Sequence, residues 1–265
     1  MNLVPNPKIA ELAAAFKLPY MKQNWYALAS DNSLSHEEFL LDLLENEYEN
    51  RLNNGMKRRI KEAKFPQKKY LVDFDRTKYS KEFLPEFEEL ETLDFIGKNE
   101  NVILIGTPGA GKTHYSIALG IAACMAGESV FYANVSNLIT ELKEAMSNMQ
   151  ISRFRHKFER YGLVILDELG YISFDKPGAE LLFNLISSRN EKGSIIVTSN
   201  LTFDRWEEVF HDPTLTAAVV DRLTHKGHIL DISREKGGRF EETVTWMENR
   251  QRPQNLSIKQ DEICF

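Results

Sequence analysis

The sequence predicts an α/β fold, a parallel central sheet flanked by helices and preceded by a small all-α domain, and three observations carry that prediction. From about residue 100 onward, short apolar runs alternate with amphipathic helical patterns, the order that builds a parallel sheet. The first of these runs leads into Gly106-Thr-Pro-Gly-Ala-Gly-Lys-Thr113, a G-x-x-x-x-G-K-[ST] segment set between a strand and a helix. Before about residue 75, apolar residues recur only at helical spacing.

Taken in order, Pro7 to Phe16 places Ile9, Leu12, Ala13 and Phe16 on one helical face, and Pro19 is expected to end that helix. Ser35-His-Glu-Glu38 is a capping box that opens a second helix, whose stripe is Phe39, Leu40, Leu43, Leu44 and Tyr48. A basic run follows, either on the same helix or on a new one, and Pro66 closes it. Residues 70 to 80 read as a connector, and the domain boundary is expected near residue 75, giving a helical domain over 1–75 and an α/β domain over 76–265. A helix from Pro85 to Ile96, stopped by Gly97, leads to the strand Asn101–Gly106. After the alanine-rich phosphate-loop helix come a strand at 129–133, a helix over 138–149 and a buried strand at 163–166. Pro177 suits the first turn of a helix through Arg189. A strand at 194–198, helices near 204–210 and 215–223, and a strand at 228–232 complete the pattern. There is no internal repeat.

A chain of 265 residues, 42% hydrophobic and 27% charged, has the balance of a globular protein with a substantial core. It has no apolar run of membrane-spanning length and no leader-like N-terminus, so neither a membrane span nor secretion is expected, and residence in the cytoplasm is. Cys124 and Cys264 are far apart and have no ligand-like spacing with histidine, which argues against a zinc site or a disulfide framework. The net charge of −6 is uneven. Arg51, Lys57, Arg58, Arg59, Lys61, Lys64, Lys68 and Lys69 stand against the single acid Glu62, a local +7 that leaves −13 for the remainder.

The glycine-bearing loop fixes the first piece of chemistry. Backbone N–H groups wrap a phosphate chain, the helix N-terminus adds its dipole, and Gly109 and Gly111 allow close approach. The candidate nucleotide-binding residues are Gly106, Thr107, Pro108, Gly109, Ala110, Gly111, Lys112, Thr113 and His114, with Lys112 directed to the β/γ-phosphates of ATP and Thr113 to Mg²⁺. Leu163-Val-Ile-Leu-Asp-Glu168 puts two acids at the C-terminal end of a buried strand, where open α/β sheets bind ligands. Asp167 suits Mg²⁺ and Glu168 suits the activation of water. Asn200, ending Ile195-Ile-Val-Thr-Ser-Asn200, is expected to face the γ-phosphate or the attacking water, or else to cap the Asp204 helix or make a local turn. Arg222 is the candidate for an arginine acting on a neighbouring subunit's ATP, against a structural ion pair with Asp221 or another acid; Arg189 is its rival.

Together these residues resemble the AAA+ P-loop ATPases, and more narrowly the IstB-type helper ATPases of bacterial insertion sequences, relatives of the DnaC-like helicase loaders. The resemblance is carried by Gly-Thr-Pro-Gly-Ala-Gly-Lys-Thr-His114, Leu-Asp-Glu-Leu-Gly-Tyr171, Gly178-Ala179 with Leu182-Phe183, Gly193-Ser-Ile-Ile-Val-Thr-Ser-Asn200, Trp206, Asp212-Pro213 and Asp221-Arg-Leu223. Lys-Phe-Pro66 and Asp73-Phe-Asp75 extend it into the N-terminal region. It departs after the last strand, where the family's Gly-x-Ser-Tyr-Arg is replaced by Arg234-Glu-Lys-Gly-Gly-Arg-Phe240, with Arg239 the nearest equivalent arginine, and an ATPase domain without a C-terminal helical lid is expected.

The resemblance implies an ATP-dependent homo-oligomer, a ring or helical assembly, that binds and deforms duplex DNA and assists a transposase. The basic run over 51–69 supplies a phosphate-binding face on its own account, with no groove-reading motif to specify sequence. Arg153, Arg155, Lys157 and Arg160 form a second basic cluster, fit to line the interior of an oligomer, although Phe154 and Phe158 give that helix a core side. The alternatives are a helicase loader acting on single strands, a small-molecule kinase and an ATP-binding DNA scaffold without turnover.

Overall fold

The computed structural model describes residues 5–31 and 33–232. Its contacts divide the chain into two compact units, one ending at Glu62 and the other beginning at Ala63. Arg239, the question of a lid and Cys264 lie outside the described residues.

The first unit is helical. Asn6 caps α1 (Pro7–Ala15) by accepting the Lys8 N–H at 3.0 Å, with Pro7 in the first turn. Pro19 does not simply end a helical region: it opens α2 (Pro19–Ala29), which the sequence did not announce, after Lys17 turns the chain at φ 57°. A proline suits the first turn of one helix as well as the end of another. The capping box then forms reciprocally, Ser35 N–H donating to Glu38 Oε2 at 2.8 Å and Glu38 N–H to Ser35 Oγ at 3.2 Å. It starts α3 (His36–Ala63), a single 28-residue helix that carries the basic run without a break. Leu43 and Ala13 are buried, and the buried Glu47 receives the Met21 N–H at the start of α2 at 3.0 Å.

In the second unit, single turns at Leu71–Asp73, Arg76–Lys78 and Lys81–Phe83 precede α4 (Leu84–Glu91) and α5 (Asp94–Gly97), which Leu93 separates by turning left-handed at φ 64°. The rest alternates as expected: β1 (Asn101–Ile105), α6 (Lys112–Ala126), β2 (Val130–Asn134), α7 (Val135–Ser147), α8 (Ile151–Glu159), β3 (Leu163–Leu169), α9 (Lys176–Ser188), β4 (Ser194–Ser199), α10 (Glu207–Phe210), α11 (Pro213–Thr224) and β5 (Gly227–Asp231). The connector belongs to this unit. Phe74 packs its ring 4.7 Å from that of Tyr115 on α6, which places the division of the chain upstream of residue 75.

All five strands are parallel, in the order β2-β3-β4-β1-β5. The inner strands are apolar on both faces because helices cover both, and Val102, Ile103, Leu104, Val164, Ile165, Ile196 and Val197 are fully buried. Each such aliphatic side chain contributes about 1.5–3 kcal/mol over an exposed one. Parallel order brings the C-terminal ends of β1, β2, β3 and β4 to one edge. β3 carries a bulge there: Leu166 faces Val197 and Leu169 faces Ser199, so β3 spends one residue more than β4. Among the described residues, no helix is long and apolar enough to cross a membrane.

Candidate nucleotide-binding and catalytic site

The loop Gly106–Gly111 leaves β1 and is tied to β4 by the Gly106 N–H on the Ser199 carbonyl at 3.2 Å. Gly109 and Gly111 take φ +77° and +99°, the left-handed region where a side chain is strained, and a Cβ at Gly111 would collide with the Tyr79 hydroxyl. That hydroxyl donates to the Ala110 carbonyl at 2.6 Å while its ring stacks on Phe74 at 5.1 Å, so the connector braces the loop from outside. Lys112, only 6% exposed, lies within the loop and donates to the carbonyls of Gly106 (2.7 Å) and Thr107 (3.0 Å). Thr107 is half-buried and Pro108 exposed. His114 follows on α6 with its ring edge toward Phe74 and a buried Nε2 without a hydrogen-bond partner among the described residues.

The two acids sit opposite the loop on β3. Asp167 is 1% exposed, and three hydroxyls hold it: Thr113 (3.0 Å) and Thr198 (2.6 Å) donate to Oδ1, and Tyr132 (2.6 Å) donates to Oδ2. Burial, then the bond to Asp167, pushes the Tyr132 phenol well above its usual ionisation range, which keeps it a donor. Glu168 occupies the bulge at φ 64°, an unusual conformation for a residue with a side chain. Its N–H donates to Thr198 Oγ1 at 2.9 Å and its Oε2 accepts from the side-chain amide of Asn134. The bulge thus turns the second acid away from the direction that simple strand alternation would give it. Lys112, Thr113, Glu168 and Thr198 border a cavity of about 200 Å³ with Gly109 and Gly111.

Asn200 ends the polar tip of β4 at the same edge. Its Oδ1 is buried without a hydrogen-bond partner among the described residues, near Gly170 in the turn after β3. The atom does not border the cavity just described. Arg222 lies elsewhere, near the end of α11, where its own carbonyl accepts from the side chain of Asn101, the first residue of β1. It is therefore at the edge opposite its own phosphate loop. Its guanidinium donates to the Ala218 carbonyl at 3.0 Å and lies 4.8 Å from the Phe183 ring centre; among the described residues no ion pair with Asp221 is formed.

Arg189 requires a correction. It is 1% exposed and donates to the carbonyls of Phe158, Tyr161, Gly162 and Ser194 at 2.8–3.2 Å, joining α8, the approach to β3 and the start of β4. Burial lowers its pKa to about 10, which leaves it charged at neutral pH. A guanidinium spent on four carbonyls is internal cross-linking and is not presented to another subunit.

The basic residues stay outward. In the first unit Arg51, Lys57, Arg58 and Lys61 are exposed and Arg59 is half-buried; in the second, Lys64 and Lys68 are exposed and Lys69 is half-buried. On α3, Arg51, Lys57, Arg58 and Lys61 fall within about a third of the circumference at about 100° per residue. Arg153, Arg155 and Lys157 are exposed on α8, while Phe158 is buried.

The donors present fit the expected nucleotide and cation. The left-handed glycines and the buried lysine form a phosphate cradle. A hydroxyl and a carboxylate oxygen held 3.0 Å apart are the hard, sparse protein ligands that magnesium takes alongside nucleotide phosphates. Among the described residues no group of three or more His, Cys, Asp or Glu forms an all-protein metal cage. Sequence reasoning missed Tyr132, Asn134, Thr198 and Tyr79. The register Asn134 opposite Asp167 would have exposed the first two, once β2 was known to lie beside β3.

Comparison with known proteins agrees with this geometry. The family described as "IstB-like ATP binding protein" matches residues 10–240. A protein of Pseudomonas aeruginosa named as an ATP-binding protein of insertion sequence IS21 is 38% identical over 223 residues, 82% of each chain. One of Geobacillus stearothermophilus, named for insertion sequence IS5376, is 33% identical over 231 residues, 86% of this chain and 92% of the relative. Among solved structures, DnaI superposes with TM-score 0.53 at 16% identity, over 62% of this chain and 90% of that one. AMPPCP-bound DnaA from Aquifex aeolicus gives 0.51 at 19% identity, over 68% and 54%. These likenesses show the fold, a parallel sheet flanked by helices that this chain shares with DnaI and DnaA.

Proposed function

The chain belongs to the IstB-like ATP-binding proteins, and on that premise we propose that it is a DNA-binding ATPase that assembles on duplex DNA, deforms it and assists a transposase in insertion-sequence transposition. The observation that carries this reading is that Lys112, Thr113 and Glu168 border one cavity, with Asp167 hydrogen-bonded to Thr113.

ATP is the substrate. Loop N–H groups between Gly106 and Thr113 bind its phosphates, and Lys112 exchanges its loop carbonyls for phosphate oxygens. Thr113 and Asp167 would hold magnesium, which when bound would supply positive charge beside the phosphates. Glu168 takes a proton from the attacking water. Asn134 occupies one of its two oxygens and so fixes which one faces the cavity. Asn200, just past β4 at the same sheet edge, orients water or the γ-phosphate only if its side chain turns from the buried position of its Oδ1 toward the cavity. Arg222 reaches the ATP of a neighbouring subunit, because it lies at the sheet edge away from its own loop.

The exposed cations of α3 and of residues 64–69 neutralise DNA phosphates, with Arg153, Arg155 and Lys157 as a second contact, and the protein acts where the DNA is, in the cytoplasm. The names of the relatives support the link to insertion sequences. Particle mass measured with ATP, with duplex DNA and with both tests the assembly. A large species is expected only with both, and a mass that neither ligand changes contradicts it.

A further inference from the structure

A strand position facing a helix needs only an aromatic ring, and phenylalanine would fill the place of Tyr132 in β2 as well. The Tyr132 ring packs 5.9 Å from that of Phe65, which itself covers Gly120 of α6 so closely that an added Cβ there would stand 2.9 Å from it. The ring's seat is therefore built, and the hydroxyl needs a separate explanation. It lies in the wall of a cavity of about 480 Å³ shared with Thr113, Asn134, Asp167 and Glu168, and it donates to Oδ2 of Asp167 at 2.6 Å.

The distribution of donors on Asp167 is uneven. Oδ1 receives Thr113 and Thr198, whereas among the described residues Oδ2 receives Tyr132 alone. Thr198 Oγ1 has its direction set by the Glu168 N–H that it accepts. Thr113 is the hydroxyl that a cation would share. The plane of the carboxylate then rests on two donors not otherwise engaged by the cation, Thr198 on one oxygen and Tyr132 on the other.

We infer that Tyr132 is a positioning residue for magnesium: its hydroxyl locks the orientation of Asp167, with Phe65 holding the ring in place, and so sets the affinity of the site for a divalent cation. This rests on the reading of Asp167 as the cation-holding acid. Outer hydrogen-bond partners of metal ligands typically change metal affinity by 10- to 100-fold, so the effect is measurable without turnover.

The test is Tyr132→Phe, which keeps the ring and removes one oxygen. Manganese, a spectroscopic stand-in for magnesium, is titrated into the full chain saturated with ADP and followed by electron paramagnetic resonance. ADP affinity is measured separately in EDTA. The expected result is a manganese Kd raised on the order of 10-fold, with metal-free ADP affinity within about two-fold of the parent. A purely structural role would weaken both together, and that result, or a manganese Kd within two-fold of the parent, overturns the inference. Asp167→Asn separates the underlying reading: if it too binds manganese like the parent, the assignment of Asp167 has failed; if it alone loses manganese, only the role of Tyr132 has.

Discussion

Thr113 donates its hydroxyl to Oδ1 of Asp167 across 3.0 Å, joining residues 54 positions apart in the chain. The contact ties the start of α6 to the end of β3, and it exists because parallel strand order puts both at one sheet edge.

Glu168→Gln keeps the shape of the side chain and its neighbours while removing the proton acceptor. Turnover of ATP should fall by about 10²- to 10⁴-fold, the usual contribution of a positioned general base. Nucleotide affinity, measured by titration with a fluorescent ATP analogue, should stay within about three-fold. A variant that still turns over at the parental rate would remove Glu168 from the chemistry.

Arg222 and the phosphate loop are at opposite edges of the sheet, so their defects should complement between subunits. Arg222→Ala and Lys112→Ala should each be nearly inactive alone with DNA present, and mixing them should restore part of the activity. Absence of recovery on mixing, at concentrations where the parent assembles, would argue against action across a subunit boundary. Arg222→Ala should cost no more than about 1 kcal/mol of stability, since it forfeits one helix-surface hydrogen bond and one ring contact.

Arg189→Met should behave in the opposite way. Losing a buried guanidinium leaves the carbonyls of Phe158, Tyr161, Gly162 and Ser194 short of donors, at about 1–3 kcal/mol for each one left unsatisfied. A loss of about 3 kcal/mol or more is expected from urea unfolding. Parental stability would show that water or neighbouring groups replace the arginine.

Lys57, Arg58 and Lys61 are exposed on one side of α3. Replacing all three by alanine should weaken duplex binding and make the dependence of log K on log salt shallower by about 2 to 3, since each neutralised phosphate contributes about 0.9. An unchanged slope in a salt titration would place the DNA elsewhere.

Much of this was legible in the chain. The alternation of apolar runs and helical patterns gave the parallel sheet, and the loop and the Asp-Glu pair fell at the edge that parallel order dictates. What could not be read was long-range or local-conformational. Asn134 reads as the end of a strand; only its alignment beside Asp167 brings its amide to Glu168. The bulge that turns Glu168 has no sequence mark, because no glycine occupies the φ 64° position. Pro19 reads equally as the close of one helix and the first turn of the next. Arg189, at the end of a helix, looks solvent-facing until four carbonyls from three other segments close around it.

The most direct measurement is phosphate release from ATP by the full chain with magnesium and duplex DNA, beside Lys112→Ala under the same conditions. The expected result is steady turnover by the parent and a fall of at least about 100-fold in the variant, comparable to removing one charge-stabilising donor from a transition state. Equal release by the two proteins would contradict the claim that this loop lysine and the acids facing it form one hydrolytic site.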